Sequence, residues 1–211
     1  MNKFRKVYAL VSSLAVLAFA STASATAYTY EFGGAPISGN GITPSSNFAT
    51  LAFDSVSDIF SLTLGNLASV GFTNGTPNVL SLAVSYPTEL SNGDISNVSG
   101  GVSSITTNPG NNPLGNFNFS FDFGSNSDQL ITGETVTWKV SNFNVNNLSD
   151  NGSGEFAIWI DNAKLTGEGK AWYGVTNTTI NPVPEPETYA MMLAGLGMMG
   201  FIVRRRKNEQ T

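Results

Sequence analysis

Acid–base chemistry in this chain would depend on carboxylates, lysine or tyrosine, because its 211 residues include no histidine and no cysteine. Those two absences exclude histidine-based triads, thiolate nucleophiles, disulfides and zinc fingers. Glycoside hydrolysis needs two carboxylates about 5 to 10 Å apart, and the candidates are Asp122, Glu134, Glu155 and Asp161. Glu155 and Asp161 flank one predicted strand and would lie about 20 Å apart along it. We therefore predict that the protein is not an enzyme, with a carboxylate-dependent glycosidase as the less favoured alternative.

Residues 147–152 are the candidate calcium-binding segment, because they place oxygen-bearing side chains at the first, third and fifth positions and Gly152 at the sixth. That order begins like an EF-hand loop. The twelfth position is Ile158, where such a loop requires a bidentate glutamate. We predict a polar turn here, with neither a metal nor a cofactor.

Three aromatic residues, Trp159, Trp172 and Tyr173, are not clearly assigned to the core by the alternation of apolar and polar residues. On the outer face of a β-domain such rings could stack on pyranose faces, while nearby asparagines supply hydrogen bonds. These residues make a carbohydrate-binding module for matrix polysaccharide the main alternative to a passive surface protein.

A period of two residues predicts β-strands through most of the chain. In residues 116–123 four phenylalanines alternate with polar residues, which predicts a four-ring core stripe, and residues 134–143 repeat the scheme. Asn74-Gly75 predicts a hairpin turn, and the Ser, Asn and Gly in residues 91–116 predict a long surface loop. The fold class is therefore all-β, a single antiparallel β-sandwich or jelly-roll-like domain over residues 26–181. The other candidate strands are 28–32, 48–53, 59–64, 68–73, 79–85, 102–106, 156–160 and 171–176.

The charge of residues 26–181 limits the partners of this domain. Seven Asp and five Glu stand against three Lys, a net charge of −9. Such a surface repels nucleic acid, since phosphate binding needs basic patches.

The N-terminus predicts a secretory signal peptide over residues 1–25. Basic residues precede an apolar run over residues 7–20, and Ala23 and Ala25 form a small-residue cleavage site for signal peptidase. The alternative is an uncleaved anchor, but the run is shorter than the roughly 20 apolar residues that a membrane span needs.

The C-terminus, residues 182–211, has three consecutive parts. Pro184, Glu185 and Pro186 lie in a stiff polar segment, and residues 188–203 carry no charge. A basic cluster of Arg204, Arg205, Arg206 and Lys207 follows directly. We predict a transmembrane helix over 188–203, with the cluster stopping transfer and remaining cytoplasmic. A plain tail anchor with a proline-rich stalk is the alternative.

This tripartite tail resembles the PEP-CTERM sorting signal of Gram-negative bacteria. The resemblance implies that an exosortase in the inner membrane cuts near the Pro-Glu-Pro motif. The protein would then pass from an inner-membrane intermediate to the cell surface, outer membrane or extracellular matrix, in an exopolysaccharide or biofilm setting. Residues 56–62 also show a weak similarity to the Phe-x-Asp-x-Phe PEP-CTERM subfamily, although Val56 stands at the first Phe position. We thus expect a secreted, non-enzymatic surface or matrix protein that is sorted by an exosortase.

Overall fold

The computed structural model describes residues 25–73, 75–88, 90–109, 117–124, 128–150, 152–163, 169–183 and 192–199. Residues Thr26–Pro182 form one compact unit, called the β-domain here. Twelve strands are present in the described chain: β1 Ala25–Phe32, β2 Ser38–Gly39, β3 Ala49–Asp54, β4 Ile59–Leu64, β5 Asn78–Val84, β6 Ile95–Gly100, β7 Ile105–Asn108, β8 Phe119–Phe123, β9 Leu130–Ile131, β10 Thr135–Val140, β11 Phe156–Asp161 and β12 Ala171–Val183.

The strands form one sheet that is rolled into two layers. Its order is β6-β10-β4-β3-β1-β12-β11-β5-β8-β7, with β2 beside β12 and β9 beside β5. We call the first five strands half A and the last five half B. Neighbouring strands within each half are antiparallel. The edge strands β6 and β7 lie next to each other, so the rolled sheet is nearly closed.

Aromatic rings from both halves fill the space between the layers. The ring of Phe60 on β4 stacks on the ring of Trp138 on β10, and their centroids are 5.3 Å apart. Across the layers its centroid is 6.0 Å from that of Phe121 and 6.5 Å from that of Phe156. All four side chains are fully buried. The all-β class and the antiparallel, two-layered architecture predicted from period-two patterning are confirmed, and the layers are two halves of a single sheet.

The strand predicted at residues 68–73 is wrong, because Leu67–Val70 form a 3-10 helix. The side chain of Asn66 caps this helix by accepting a hydrogen bond from the Ser69 amide, and Gly71 ends it with φ at 114°. Leu67 and Val70 are buried in this turn. Its apolar residues therefore pack in the core although they do not form a strand. The Asn74-Gly75 hairpin is wrong for the same reason, since no strand precedes it; Asn74 itself lies outside the described residues.

The long loop predicted at residues 91–116 is also wrong over most of its described part. A 3-10 helix over Asn92–Asp94 leads into β6, and β7 follows at Ile105–Asn108. These are the edge strands, which pair with β10 and β8 respectively. Edge strands expose one side to solvent and tolerate polar residues, which explains why their composition resembles that of a loop.

The four-ring stripe predicted in residues 116–123 holds for three of its rings. Phe119, Phe121 and Phe123 belong to the main core between the layers. Phe117 precedes the first residue of β8 and joins a separate apolar cluster with Ala83, Ala157 and Trp172. Regular alternation ends where the strand ends, so Phe117 was assigned to the wrong side.

The predicted transmembrane helix is described only over residues 192–199, which are helical and expose their large apolar side chains. Among the residues that the structure describes, no helix has the length and apolar character needed to span a membrane. Residues 1–24, Pro184 to Pro186 and Arg204 to Lys207 lie outside the described ranges. The signal peptide, the membrane span and the basic stop therefore stay predictions.

Replacing Phe60 by alanine tests the aromatic core. We expect Phe60→Ala to lower the free energy of unfolding by about 3–5 kcal/mol, because it leaves a cavity where rings of both halves meet. Urea denaturation of the exported protein measures this. Val56→Ala, at a side chain that is 61% exposed, is the control and should change the free energy by less than about 0.5 kcal/mol. Equal effects of the two substitutions would contradict this packing.

Candidate functional site

Half B carries the three aromatic residues that the sequence left outside the core, and only one of them keeps an accessible ring. Tyr173 is fully buried against the main core, and its hydroxyl donates a hydrogen bond to the Ile42 carbonyl at 2.8 Å. Its assignment as a sugar-stacking residue is therefore wrong, since the ring packs against Phe48 and Phe72. Alternation along β12 turns Tyr173 inward and Trp172 outward.

Trp159 and Trp172 form a stacked pair on the outer face of half B. Their centroids are 5.2 Å apart and their planes differ by 18°. Trp172 is only 8% exposed, while Trp159 is half-buried. The ammonium of Lys170 lies 5.5 Å from the centre of the Trp159 ring and 3.8 Å from the Asp161 carboxylate. Trp172 thus supports Trp159 from one side and contributes little surface of its own.

A row of outward residues crosses four strands from these tryptophans. Strand pairing runs from Trp172 to Trp159, Ser81 and Asp122. Strands lie about 4.8 Å apart, so the Cα atoms of Trp159 and Asp122 are separated by about 10 Å with Ser81 between them. Strand pairing therefore places Trp159, Ser81 and Asp122 next to one another on one face, with Ser81 only 2% exposed between the other two.

A groove of about 460 Å³ lies over this row. It falls within the range of about 300 to 1,000 Å³ that is typical of small-molecule sites. The residues that line the groove come from β5, β7, β8 and β11 and the turn after β8: Leu80, Ser81, Asn108, Asp122, Phe123, Gly124 and Trp159. We call it the outer groove.

Two backbone features shape the outer groove. The pairing of β5 with β11 shifts by one residue between Trp159 and Ile160, which leaves Leu80 as the extra residue of a β-bulge. Bulges redirect side chains, and Leu80 lines the groove beside Ser81 although strict alternation would turn it inward. At the end of β8, Gly124 has φ at 58°, and a Cβ there would collide with the Asp128 carbonyl oxygen. The chain can turn away at this point only with glycine.

Asp122 is held in the groove by two side-chain donors. Its Oδ2 accepts from Asn108 Nδ2 at 3.0 Å, and its Oδ1 accepts from Ser120 Oγ at 2.8 Å. These contacts fix the orientation of the carboxylate and orient the Asn108 amide next to it. The sequence placed Asp122 on the polar face of its strand; the register that brings it into line with Trp159 was not visible there.

The other candidate acids have separate surroundings. Glu134 accepts a hydrogen bond from the Ile131 amide at 3.0 Å, and Asp161 accepts one from the Asn162 amide at 2.8 Å. Glu155 precedes the first residue of β11 and Asp161 is its last, so the strand separates them as the sequence predicts.

A small cavity of about 230 Å³ brings Glu155 close to Asp150, which sequence reasoning did not consider as its partner. Asp150 Oδ1 accepts from the amides of Gly152 at 2.8 Å and Gly154 at 3.2 Å, so this carboxylate organises the turn that was compared with a calcium loop. The described residues contain no group of three or more Asp, Glu, His or Cys side chains that could hold a metal ion. The cavity is smaller than typical ligand sites, and none of its described lining residues is aromatic.

Burial raises the pKa of the Glu155 carboxyl; a hydrogen bond with Tyr30 opposes this rise and the charge of Asp150 adds to it. Burial also raises the pKa of the Tyr30 hydroxyl, and the neighbouring Glu155 charge adds to that effect. The Tyr30 ring on half A packs edge-on against the Phe156 ring on half B, and their centroids are 4.7 Å apart. The protonation of Glu155 is therefore linked to the packing of the core.

Comparison with known proteins identifies the C-terminal tail. Residues 182–207 match the PEP-CTERM protein-sorting motif. No curated protein matches the chain. A solved structure titled for pH-induced modulation of Streptococcus parasanguinis adhesion by Fap1 fimbriae is similar at 13% identity, over 72% of this chain and 93% of that chain, with a TM-score of 0.36. A similarity at this TM-score identifies neither a shared fold nor a shared function.

The chain therefore carries a PEP-CTERM sorting domain, as its tail predicts. This makes it a secreted protein that is processed by an exosortase, with a surface or extracellular location. The match includes Pro184, Glu185 and Pro186 and the basic cluster. It does not extend to residues 56–62, so the Phe-x-Asp-x-Phe similarity stays a prediction.

The Glu155 environment predicts a pH-dependent stability. A raised pKa in the folded state means that the native protein binds more protons than the unfolded chain, so stability falls as pH rises from about 4.5 through the folded pKa. We expect Glu155→Gln to abolish this decline in unfolding measurements between about pH 4 and pH 8. Glu31→Gln is the matched control and should preserve it. An unchanged slope in Glu155→Gln would contradict the assignment.

Proposed function

We propose that the protein is a non-enzymatic component of the cell surface or extracellular matrix whose β-domain binds polysaccharide through the outer groove. The observation that supports this most is the alignment of Trp159, Ser81 and Asp122 across neighbouring strands of half B. Sugar rings present apolar faces and hydroxylated edges, and this row offers an aromatic ring on Trp159 and a carboxylate on Asp122, with the buried Ser81 between them.

Each part of the groove has a defined task in this proposal. The part of the Trp159 ring that lines the groove packs against the sugar, next to the Lys170 ammonium that lies over the ring, and the stacked Trp172 limits the loss of side-chain freedom on binding. Asp122 accepts hydrogen bonds from sugar hydroxyls, with Asn108 and Ser81 beside it. Charge-assisted hydrogen bonds of this kind are about twice as strong as neutral ones. The hydrogen bonds to Asp122 therefore set the orientation of the bound sugar.

The chemistry of the outer groove favours binding without hydrolysis. Glycoside hydrolysis uses a pair of carboxylates, whereas the described lining of the groove includes one, Asp122. The competing candidate is a glycosidase built on Asp150 and Glu155, and the raised pKa of Glu155 is the observation in its favour. The small volume of that cavity and its lining without aromatic residues argue against it.

We combine the proposed binding activity with the export route that the sorting motif implies. In this proposal signal peptidase removes residues 1–25, and residues 188–203 hold the precursor in the inner membrane until an exosortase acts. The producer is a Gram-negative bacterium that makes exopolysaccharide or biofilm matrix, and the released β-domain holds that polysaccharide at the surface.

Trp159→Ala tests polysaccharide binding. We expect the substitution to weaken binding of the exported protein to the producer's own exopolysaccharide at least about tenfold, which corresponds to about 1.4 kcal/mol, because the stacking surface is lost. Affinity electrophoresis in gels containing the polysaccharide measures this change. Tyr28→Ala is a control, since it removes a partly exposed ring from half A.

Two results would contradict the proposal. One is equal retardation of the wild-type protein and Trp159→Ala, with unfolding curves showing that both are folded. The other is release of reducing sugar by the wild-type protein that disappears in Glu155→Gln, which would establish the glycosidase.

Glu185→Ala tests the sorting step. We expect unprocessed precursor to accumulate in the inner membrane, because the residue lies at the centre of the Pro-Glu-Pro motif. Immunoblots of membrane and extracellular fractions distinguish the precursor from the processed form, and Glu168→Ala serves as a control outside the matched residues. Normal release of the Glu185→Ala protein would contradict exosortase recognition through this motif.

A further inference from the structure

Charged groups of opposite sign lie near the two ends of the outer groove, and this arrangement bears on which polysaccharide the site accepts. Asp122 lies at one end, in the groove wall. The ammonium of Lys170, which is not among the described lining residues, lies beside the other end, 5.5 Å from the centre of the Trp159 ring. Ser81 and the neutral amide of Asn108 belong to the wall between or beside them.

An acidic polysaccharide meets repulsion at this site. A uronic acid ring packed on Trp159 would extend its neighbours towards Asp122, whose Cα atom lies about 10 Å from that of Trp159. That distance is about one Debye length at 0.1 M salt, so the carboxylate acts on a ligand in the groove without full screening. The net charge of −9 on residues 26–181 adds a long-range repulsion of the same sign.

A cationic amino sugar is disfavoured at the opposite end. Lys170 already places a positive charge at the Trp159 ring, a contact that is attractive in itself through the cation–π interaction. The Asp161 carboxylate lies 3.8 Å from that ammonium. A second ammonium on a sugar stacked at Trp159 would be repelled by Lys170.

We infer that the outer groove selects neutral, hydroxyl-rich polysaccharides, with Asp122 and Lys170 as the residues that determine specificity. This inference rests on the proposed function, since it concerns the ligand class of the same site. Uncharged hydroxyls can use both ends, because they donate to the Asp122 carboxylate and accept from the Lys170 ammonium. A charged sugar is attracted by one of these two groups and repelled by the other.

The test compares three oligosaccharides of equal length and β-1,4 linkage, built of glucose, glucuronic acid or glucosamine. Binding to the exported protein is followed by tryptophan fluorescence at low and high salt. We expect the glucose oligomer to bind most tightly at low salt, and the disadvantage of the glucuronic acid oligomer to shrink at high salt.

Two substitutions separate the two ends of the groove. Asp122→Asn should raise the affinity for the glucuronic acid oligomer at least about threefold at low salt, a change of about 0.65 kcal/mol, and lower that for the glucose oligomer. Lys170→Met should raise the affinity for the glucosamine oligomer. Glu31→Gln alters net charge as Asp122→Asn does, but on half A, and should change the three affinities much less than Asp122→Asn does.

The outcomes distinguish this inference from the function on which it rests. Equal binding of the glucose and glucuronic acid oligomers, tightest binding of the glucosamine oligomer, or an equal effect of Glu31→Gln would overturn the charge selection while leaving glycan binding in place. Failure of all three oligomers and of the producer's exopolysaccharide to bind would overturn the proposed function and the inference together.

Discussion

The packing of aromatic rings between the two halves of one sheet is the interaction on which the rest of the structure depends. Phe60 and Trp138 on half A contact Phe121 on half B, and Tyr30 contacts Phe156. Such pairs contribute about 0.5 to 1.5 kcal/mol each beyond the burial of their surface. Because side chains alternate along a strand, each inward ring also determines which neighbours face outward. Asp122 lies between Phe121 and Phe123, and Trp159 lies between Ile158 and Ile160, so the core fixes the outer groove.

Period-two alternation made the β class and most of the strands predictable from the sequence. The prediction was accurate where both faces of a strand have distinct surroundings, as in β4, β10 and β11. It was wrong at Leu67–Val70, where a single buried turn has the apolar content of a strand, and at the polar edge strand β6; the strand predicted at residues 102–106 overlaps only the first two residues of β7. In both places the conformation depends on tertiary contacts, which the local composition does not predict.

The candidate site was predictable only in part, because its residues are brought together by pairing between distant strands. Trp159 and Asp122 were each recognised as outward or unassigned residues. Their alignment depends on the register of β5 with both β8 and β11. Leu80 could not be anticipated, since a bulge turns it towards the groove. Tyr173 was misassigned because its neighbour Trp172 takes the outward position.

The sorting motif and the outer groove divide the protein between delivery and binding. The motif in residues 182–207 accounts for export, and the proposed binding surface belongs to the β-domain. The most direct test of that surface is an NMR titration of the exported protein with a neutral β-1,4-glucan oligosaccharide. The account predicts shifts of the Trp159 indole N–H and of amides in β5, β8 and β11 around the groove. Shifts confined to half A, or no shifts at saturating oligosaccharide, would contradict it.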